Sequence, residues 1–338
     1  MSIILIGDIS TTHIRYSLFH ITEIEDSLIK SENYPSDDFN LDILLTIQVF
    51  LQDQPRPIIA VFSICGIIIN NKILANDRYG TGFDPDVAAE VLGISKIYLL
   101  NDFQNIGYAV TKLSSNEFFV MNRGCQNPTG IILCVSIGTG IGQCFLLHNG
   151  KDYNVLPSEG GHQDYSPKTA VDKKFYDFVC RNYTKLSLTY SSLINEQNAN
   201  MFYHFLREEY TDKVNSNFDE IFMRDQSNQT KIMIEAGFNK KDVLAAQGVK
   251  MWLNHVGYYL ANLFMNFLPS GGFYLLGETI SKNYERIIKH SGIREGFYCG
   301  RANILHKTMK EVPIYIVKSE NLGTRGAMVY TKHILFNS

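Results

Sequence analysis

The sequence predicts an α/β protein of two lobes, and three observations predict it. Short apolar strands such as Ile3–Ile6, Ile97–Leu100 and Phe273–Leu276 alternate along the chain with segments of helical apolar spacing. A strand–turn–strand pattern at the N-terminus starts again at Gly130. The length of 338 residues exceeds what one hydrophobic core usually supports.

In chain order, Ile3–Ile6 reads as a buried strand and Gly7–Thr12 as a turn of small and hydroxylic residues. His13–Phe19 alternates as the return arm of a hairpin, and Ser27–Tyr34 adds a third strand. Leu41–Leu51 has helical apolar spacing. Ile58–Phe62 is a strand, followed by a hairpin turning at Asn70-Asn71. Asp84-Pro85 supplies an N-cap and a first-turn proline for a helix through Leu92, which Gly93 ends. Ile97–Leu100 delivers Asn101-Asp102, and a helix follows over Gln104–Leu113. The pattern restarts with strand Gly130–Val135, glycine turn Ser136–Gly142 and strand Gln143–Leu147. Lys168–Gly237 is mainly helical, Asn200–Glu209 being its best helix and Asp212–Thr230 a polar, loop-rich stretch. Lys240–Phe267 is a long helix stopped by Pro269-Ser270-Gly271-Gly272. Phe273–Leu276 and Pro313–Val317 are strands, and Gly323–Leu335 closes the chain as a helix. The lobes divide as 1–110, joined by the C-terminal helix within 322–338, and 111–321.

Composition narrows the function. Apolar residues make up 45% and charged residues 19%, as in an ordinary folded soluble protein. A formal net charge of −3 offers no basic excess for a nucleic acid backbone. Runs such as Ile43–Leu51 and Ile58–Ile69 are too short or too interrupted to cross a bilayer. No basic segment precedes Ile3–Ile6, so no export signal is read and a cytoplasmic protein with small-molecule partners is expected. The six cysteines show no CxxC pair or metal-ligand spacing, which predicts reduced, mostly buried thiols.

Four stretches carry chemistry. Alternate glycines at Gly138-Thr139-Gly140-Ile141-Gly142 allow positive φ and let backbone N–H groups reach a phosphate, although a plain hairpin turn has the same pattern. Asp102 at a strand's C-terminal end sits where α/β sheets place chemistry, and a carboxylate there can take a hydroxyl proton; the bland alternative is an N-cap for the next helix. Glu159-Gly160-Gly161-His162 puts an acceptor and a donor-acceptor on either side of a turn, as vicinal hydroxyls require. Asp8 could hold Mg²⁺ through water, or form an Asx-turn. No Gly-x-x-x-x-Gly-Lys-Ser/Thr occurs, which excludes a P-loop NTPase.

Taken in order, these stretches resemble bacterial-type glucokinases of the hexokinase–actin–Hsp70 superfamily. Ile4–Leu18 is similar to that family's first hairpin, Leu99–Phe103 to its catalytic strand end and Ser136–Gly142 to its second phosphate loop. Leu156–Pro167 is very close to its sugar-binding signature, and Phe273–Thr279 and Asn321–Met328 are weaker matches to its adenosine-side strand and closing helix. The resemblance implies a two-lobed ribonuclease H-like/actin-like ATPase fold, with mixed sheets flanked by helices and ATP and glucose in a central cleft. It implies Asp102 as general base, and Asn76, Asn101, Asp102, Glu159 and His162 as sugar ligands. Asp8 would face Mg²⁺, while Ser10, Thr11, Thr12, Gly138, Thr139, Gly140 and Gly277 would face ATP. A homodimer is the assembly such proteins often form.

The departures are specific. The family reads Gly-Gly-Thr-Asn where this chain has Ser10-Thr11-Thr12-His13, so Cβ atoms stand where backbone approaches phosphate. The family's further sugar-binding Glu has no counterpart in Ser187–Ile194, and Glu196 would substitute only if the loop is re-threaded. Gly277-Glu278-Thr279 replaces a glycine pair and brings an acid to the nucleotide side. Three readings stay open: a glucose kinase, a sugar-binding paralogue that no longer turns over, and a kinase for another hexose.

Overall fold

Two mixed sheets with helices against them organise the chain in the computed structural model, which describes residues 2–10, 13–35, 42–75, 82–318 and 322–336. The candidates Thr11, Thr12 and Asn76 lie outside the described residues. One compact unit holds Met1–Ser114, Val155–Pro157 and Ser319–Ser338; the other holds Ser115–Asn154 and Ser158–Lys318.

The first unit opens with β1 (Ser2–Ile9), β2 (His13–Ile21) and β3 (Asp26–Pro35), then α1 (Ile43–Leu51) and β4 (Ile59–Ile64). A small hairpin, β5 (Ile67–Ile69) and β6 (Lys72–Ala75), precedes α2 (Pro85–Leu92), β7 (Lys96–Asn101) and α3 (Asp102–Val110). The sheet order is β3-β2-β1-β4-β7. Local chemistry sets the boundaries. Asp42 and Asp84 accept hydrogen bonds from the first N–H groups of α1 and α2, Pro85 begins α2 and left-handed Gly93 ends it. Asn70 and Asn71 both take positive φ in the hairpin turn, as expected from the sequence. Tyr16, Phe50 and Phe62 fill the core against Leu5 and Leu99.

The second unit opens with β8 (Phe118–Asn122), β9 (Ile132–Ile137) and β10 (Ile141–His148); β11 (Tyr153–Ser158) completes its sheet, although Val155–Pro157 groups with the first unit. Six helices follow: α4 (Ala170–Asn182), α5 (Tyr190–Ile194), α6 (Met201–Glu209), α7 (Ser216–Arg224), α8 (Gln229–Phe238) and α9 (Val243–Phe267). Then come β12 (Gly272–Leu276), α10 (Glu278–Lys282), α11 (Tyr284–Lys289), α12 (Gly292–Tyr298), α13 (Asn303–Lys310) and β13 (Ile314–Val317). The sheet order is β11-β10-β9-β12-β13-β8. The last helix, α14 (Leu322–Phe336), belongs to the first unit.

The restarted pattern is visible in the topology. In each sheet an antiparallel hairpin (β1–β2, β9–β10) is extended by two parallel strands, β4 and β7 or β12 and β13. The α/β expectation therefore holds, and with it the mixed sheets.

Several expectations are corrected. The glycine turn is only Gly138–Gly140, because β9 and β10 extend to Ile137 and Ile141. Asp212–Thr230 is largely helical: Asn215 caps α7, Phe222 is buried, and the Arg207 guanidinium grips Asp219 at 2.8 and 2.6 Å. The long helix α9 starts at Val243, capped by Asp242. Of the thiols only Cys134 and Cys144 are buried, while Cys65, Cys125 and Cys180 are exposed. Among the described residues no helix is long and apolar enough to cross a membrane; α9 itself carries Lys250, Asn254 and His255.

Candidate active site

In the first unit the candidates collect at the C-terminal edge of three parallel strands. Register places Asp8 opposite Ser63, and Ile9, Ile64 and Asn101 side by side on β1, β4 and β7. Asp8, Ser10 and Asp102 thus share one edge, with β1 and β7 two strand spacings, about 10 Å, apart. Parallel α/β sheets bind ligands at this edge.

Asp102 opens α3. The cap is Asn101 rather than Asp102, which corrects the simpler reading of that aspartate. Asn101 Oδ1 accepts from the N–H groups of Phe103 and Gln104 at 2.9 and 3.2 Å, and its Nδ2 donates to the Gly66 carbonyl at 2.9 Å. The buried Asn101 side chain therefore fixes where β7 becomes α3 and leaves one amide hydrogen for a ligand. Asp102 Oδ1 accepts from Phe103 N–H at 2.9 Å, and the residue is half-buried. A carboxylate at the start of a helix is stabilised by the helix dipole.

Asp8 lies against the start of α14, where a Cβ added to Gly323 would come 2.8 Å from Asp8 Oδ2. Among the described residues no three His, Cys, Asp or Glu side chains form a metal cluster. Mg²⁺ does not need one, since it is held by one or two carboxylates with water and substrate phosphates. A half-buried acid at the sheet edge fits that requirement.

In the second unit Gly138–Gly140 closes the β9–β10 hairpin. Neither glycine takes positive φ, so the expected conformational role is corrected. What matters at Gly138 is the missing side chain: a Cβ there would meet nothing within 4 Å, leaving room beside the backbone. A cavity of about 820 Å³ opens next to this turn, lined by Thr139, Glu196, Lys231, Glu278, Thr279 and Arg286 among others. That volume falls within the range for nucleotide-sized ligands. Lys282 pairs with Glu278 and Arg286 with Glu235 at 2.8 Å; each cation holds its partner's carboxyl below the ordinary range. Gly277 precedes α10 at φ 121°, and a Cβ there would strike the Ile137 carbonyl at 2.0 Å.

The Glu159–His162 turn sits on β10. Ser158 Oγ accepts from Gly160 N–H at 3.1 Å and from buried Gln143 Nε2 at 2.7 Å, and Tyr259 bonds Gln143 in turn. A Cβ on Gly160 would meet Gln143 Nε2 at 2.0 Å, and one on Gly161 the Ile141 carbonyl at 2.2 Å. The paired glycines are there because the turn is pressed onto the strand. Glu159 and His162 are left exposed, Oε2 and Nε2 4.0 Å apart. The turn is anchored behind by Tyr165, whose hydroxyl donates to His255 Nε2 at 2.8 Å. Nδ1 of His255 faces the Met251 carbonyl at 2.7 Å, so the neutral ring carries its proton there. Burial pushes the His255 pKa down against the opposing pull of Asp172, 3.6 Å away.

The missing sugar acid is not restored. Ser191 is buried with its Oγ accepting from Ile141 N–H, and Glu196 turns to Thr279, whose N–H it accepts at 2.6 Å. Sequence reasoning missed this role for Glu196 and also the support from Gln143. The polarity of Gln143 inside a strand was the available signal.

The glucokinase family model matches residues 5–334. A glucokinase of Synechocystis sp. is 28% identical over 349 aligned positions, covering 96% of each chain. The crystal structure of a glucokinase from an Antarctic psychrotroph superposes with a TM-score of 0.78 at 18% identity over the whole of both chains. A ROK family glucokinase from Streptomyces griseus, solved with glucose and AMPPNP, has a TM-score of 0.60 at 14% identity, covering 96% of this chain and 97% of that one.

Proposed function

The chain belongs to the glucokinase family and is a sugar kinase of the glucokinase/hexokinase type, and from that premise we propose that it transfers the γ-phosphoryl group of ATP to the 6-hydroxyl of glucose. The observation that carries the reading is Asp102, held by the Asn101 cap at the edge of three parallel strands. Its carboxylate takes the proton of the attacking hydroxyl as the new O–P bond forms and ADP leaves. Glu159 accepts from one of a pair of vicinal hydroxyls, His162 donates to or accepts from the other, and the remaining amide hydrogen of Asn101 meets a third. Asn76 is a further sugar ligand in this reading.

Ser10, Thr11, Thr12, Gly138, Thr139 and Gly140 would be the phosphate ligands, and the nucleoside would enter the cavity near Gly277. The open space beside Gly138 supports this, as does the AMPPNP bound by the Streptomyces relative. Asp8 would hold Mg²⁺ through water, and the ion would supply charge neutralisation on the phosphates.

A sugar panel tests the reading. With ATP and Mg²⁺, ADP release should have its highest kcat/KM with glucose, above mannose, fructose and glucosamine. A higher value for glucosamine would assign the enzyme to an amino sugar instead, in keeping with the absent acid.

A further inference from the structure

Glu196 joins two turns that the proposed nucleotide would have to touch. Its own N–H donates to the Gly138 carbonyl at 2.8 Å, on the phosphate side. Its Oε1 accepts from Thr279 N–H at 2.6 Å, on the side where β12 ends. Position is fixed from behind: the buried Trp252 Nε1–H donates to the carbonyl of Ile194, two residues earlier, at 2.9 Å. Thr139, Glu196 and Thr279 all line the 820 Å³ cavity. Oε1 is committed to Thr279, whereas Oε2 takes no hydrogen bond from any described residue. Two of the cavity's three cations, Lys282 and Arg286, are bound to Glu278 and Glu235, and the third, Lys231, forms no ion pair with Glu196 among the described residues.

In a nucleoside triphosphate the ribose lies between phosphates and base. A carboxylate between the phosphate turn and the Gly277–Thr279 turn therefore stands at the level of the sugar. A carboxylate oxygen without a donor is the natural acceptor for a vicinal ribose hydroxyl, and such charge-assisted bonds are the strong ones. We propose that Glu196 accepts a hydrogen bond from a ribose hydroxyl of the donor nucleotide, so that the enzyme selects ribonucleotides over deoxyribonucleotides. This rests on reading the cavity beside Thr139 as the nucleotide site.

The test measures KM for ATP, 2′-deoxy-ATP and 3′-deoxy-ATP at saturating glucose, in wild type, Glu196→Ala and Glu196→Gln, with thermal melting to verify each fold. In wild type at least one deoxy donor should have a KM about tenfold or more above that of ATP, the cost of one lost hydrogen bond to a charged group. Glu196→Ala should raise KM for ATP to the level of that deoxy donor and leave the deoxy donor little changed. Glu196→Gln keeps an acceptor for Thr279 N–H, so the turn is held while the preference for ATP shrinks. Equal use of all three donors by wild type overturns the inference. So does a parallel rise of all three KM values in Glu196→Ala, which would mark a purely structural residue. Absence of turnover with every nucleotide, with the chain folded, removes the ATP reading itself.

Discussion

Replacing Gly326 by alanine would place a Cβ 1.8 Å from the backbone carbonyl oxygen of Asn105, where α14 crosses α3. Real Cβ atoms keep at least 3.0 Å, so the helices must separate by 3.0 − 1.8 = 1.2 Å. The neighbour is backbone and cannot swing away. A second tie, Asn105 Nδ2 donating to the Gly323 carbonyl at 2.6 Å, would have to lengthen as well. In an exposed helix the same substitution stabilises by about 1 kcal/mol. Here overpacking costs about 1–3 kcal/mol and the loosened hydrogen bond about 1 more, leaving a net destabilisation of about 1–3 kcal/mol. The same shift moves α3, which begins at Asp102, and a displacement of about 1 Å at a reacting group can cost about a hundredfold in rate. Urea unfolding and kcat should both register the change. A Gly326→Ala protein as stable as wild type, or more so, would refute the packing argument.

At Gly138 the reverse holds: the alanine Cβ meets nothing within 4 Å of protein, so Gly138→Ala should melt with wild type while raising KM for ATP and not for glucose. One buried and two half-buried histidines make stability depend on pH. Burial lowers His255, His204 and His290 below the ordinary 6.5. The unfolded chain therefore binds more protons below about pH 6.5, and stability that is full above that pH is lost as pH falls towards the folded values. Melting temperature should drop between pH 7 and pH 5, and His255→Gln should flatten the slope; an unchanged or steeper slope in that variant would remove His255 as a cause.

Much of this architecture was legible because local signals were unopposed. Asp84-Pro85 and Gly93 bracket α2 as a capped helix must be bracketed, and Asn70-Asn71 could adopt the positive φ its hairpin needs. The order of Gly7-Asp8, Asn101-Asp102, Gly138–Gly140 and Glu159–His162 pointed to a sugar kinase, and the match across residues 5–334 agrees. What escaped depends on long-range packing. Asp212–Thr230 looks polar because α7 exposes most of its surface and buries only Phe222, and its pairing partner Arg207 lies on another helix. The helices α10 to α13 are only 5 to 8 residues long, too short for a helical period to be read from the sequence. The paired glycines at 160 and 161 read only as a turn between Glu159 and His162, whereas the structure shows that they permit close approach to Gln143 and Ile141. Glu196 was legible only as a substitute for the absent sugar acid, because its partner Thr279 is 83 residues away.

The most direct test of the central claim compares wild type with Asp102→Asn for ADP release from ATP and Mg²⁺, with and without glucose, alongside the melting temperature of each with glucose alone. Glucose-dependent release should fall by about a hundredfold to ten-thousandfold in the variant, the usual contribution of a general base, while glucose still raises its melting temperature. Turnover by Asp102→Asn equal to wild type would contradict it and take the base role away from Asp102.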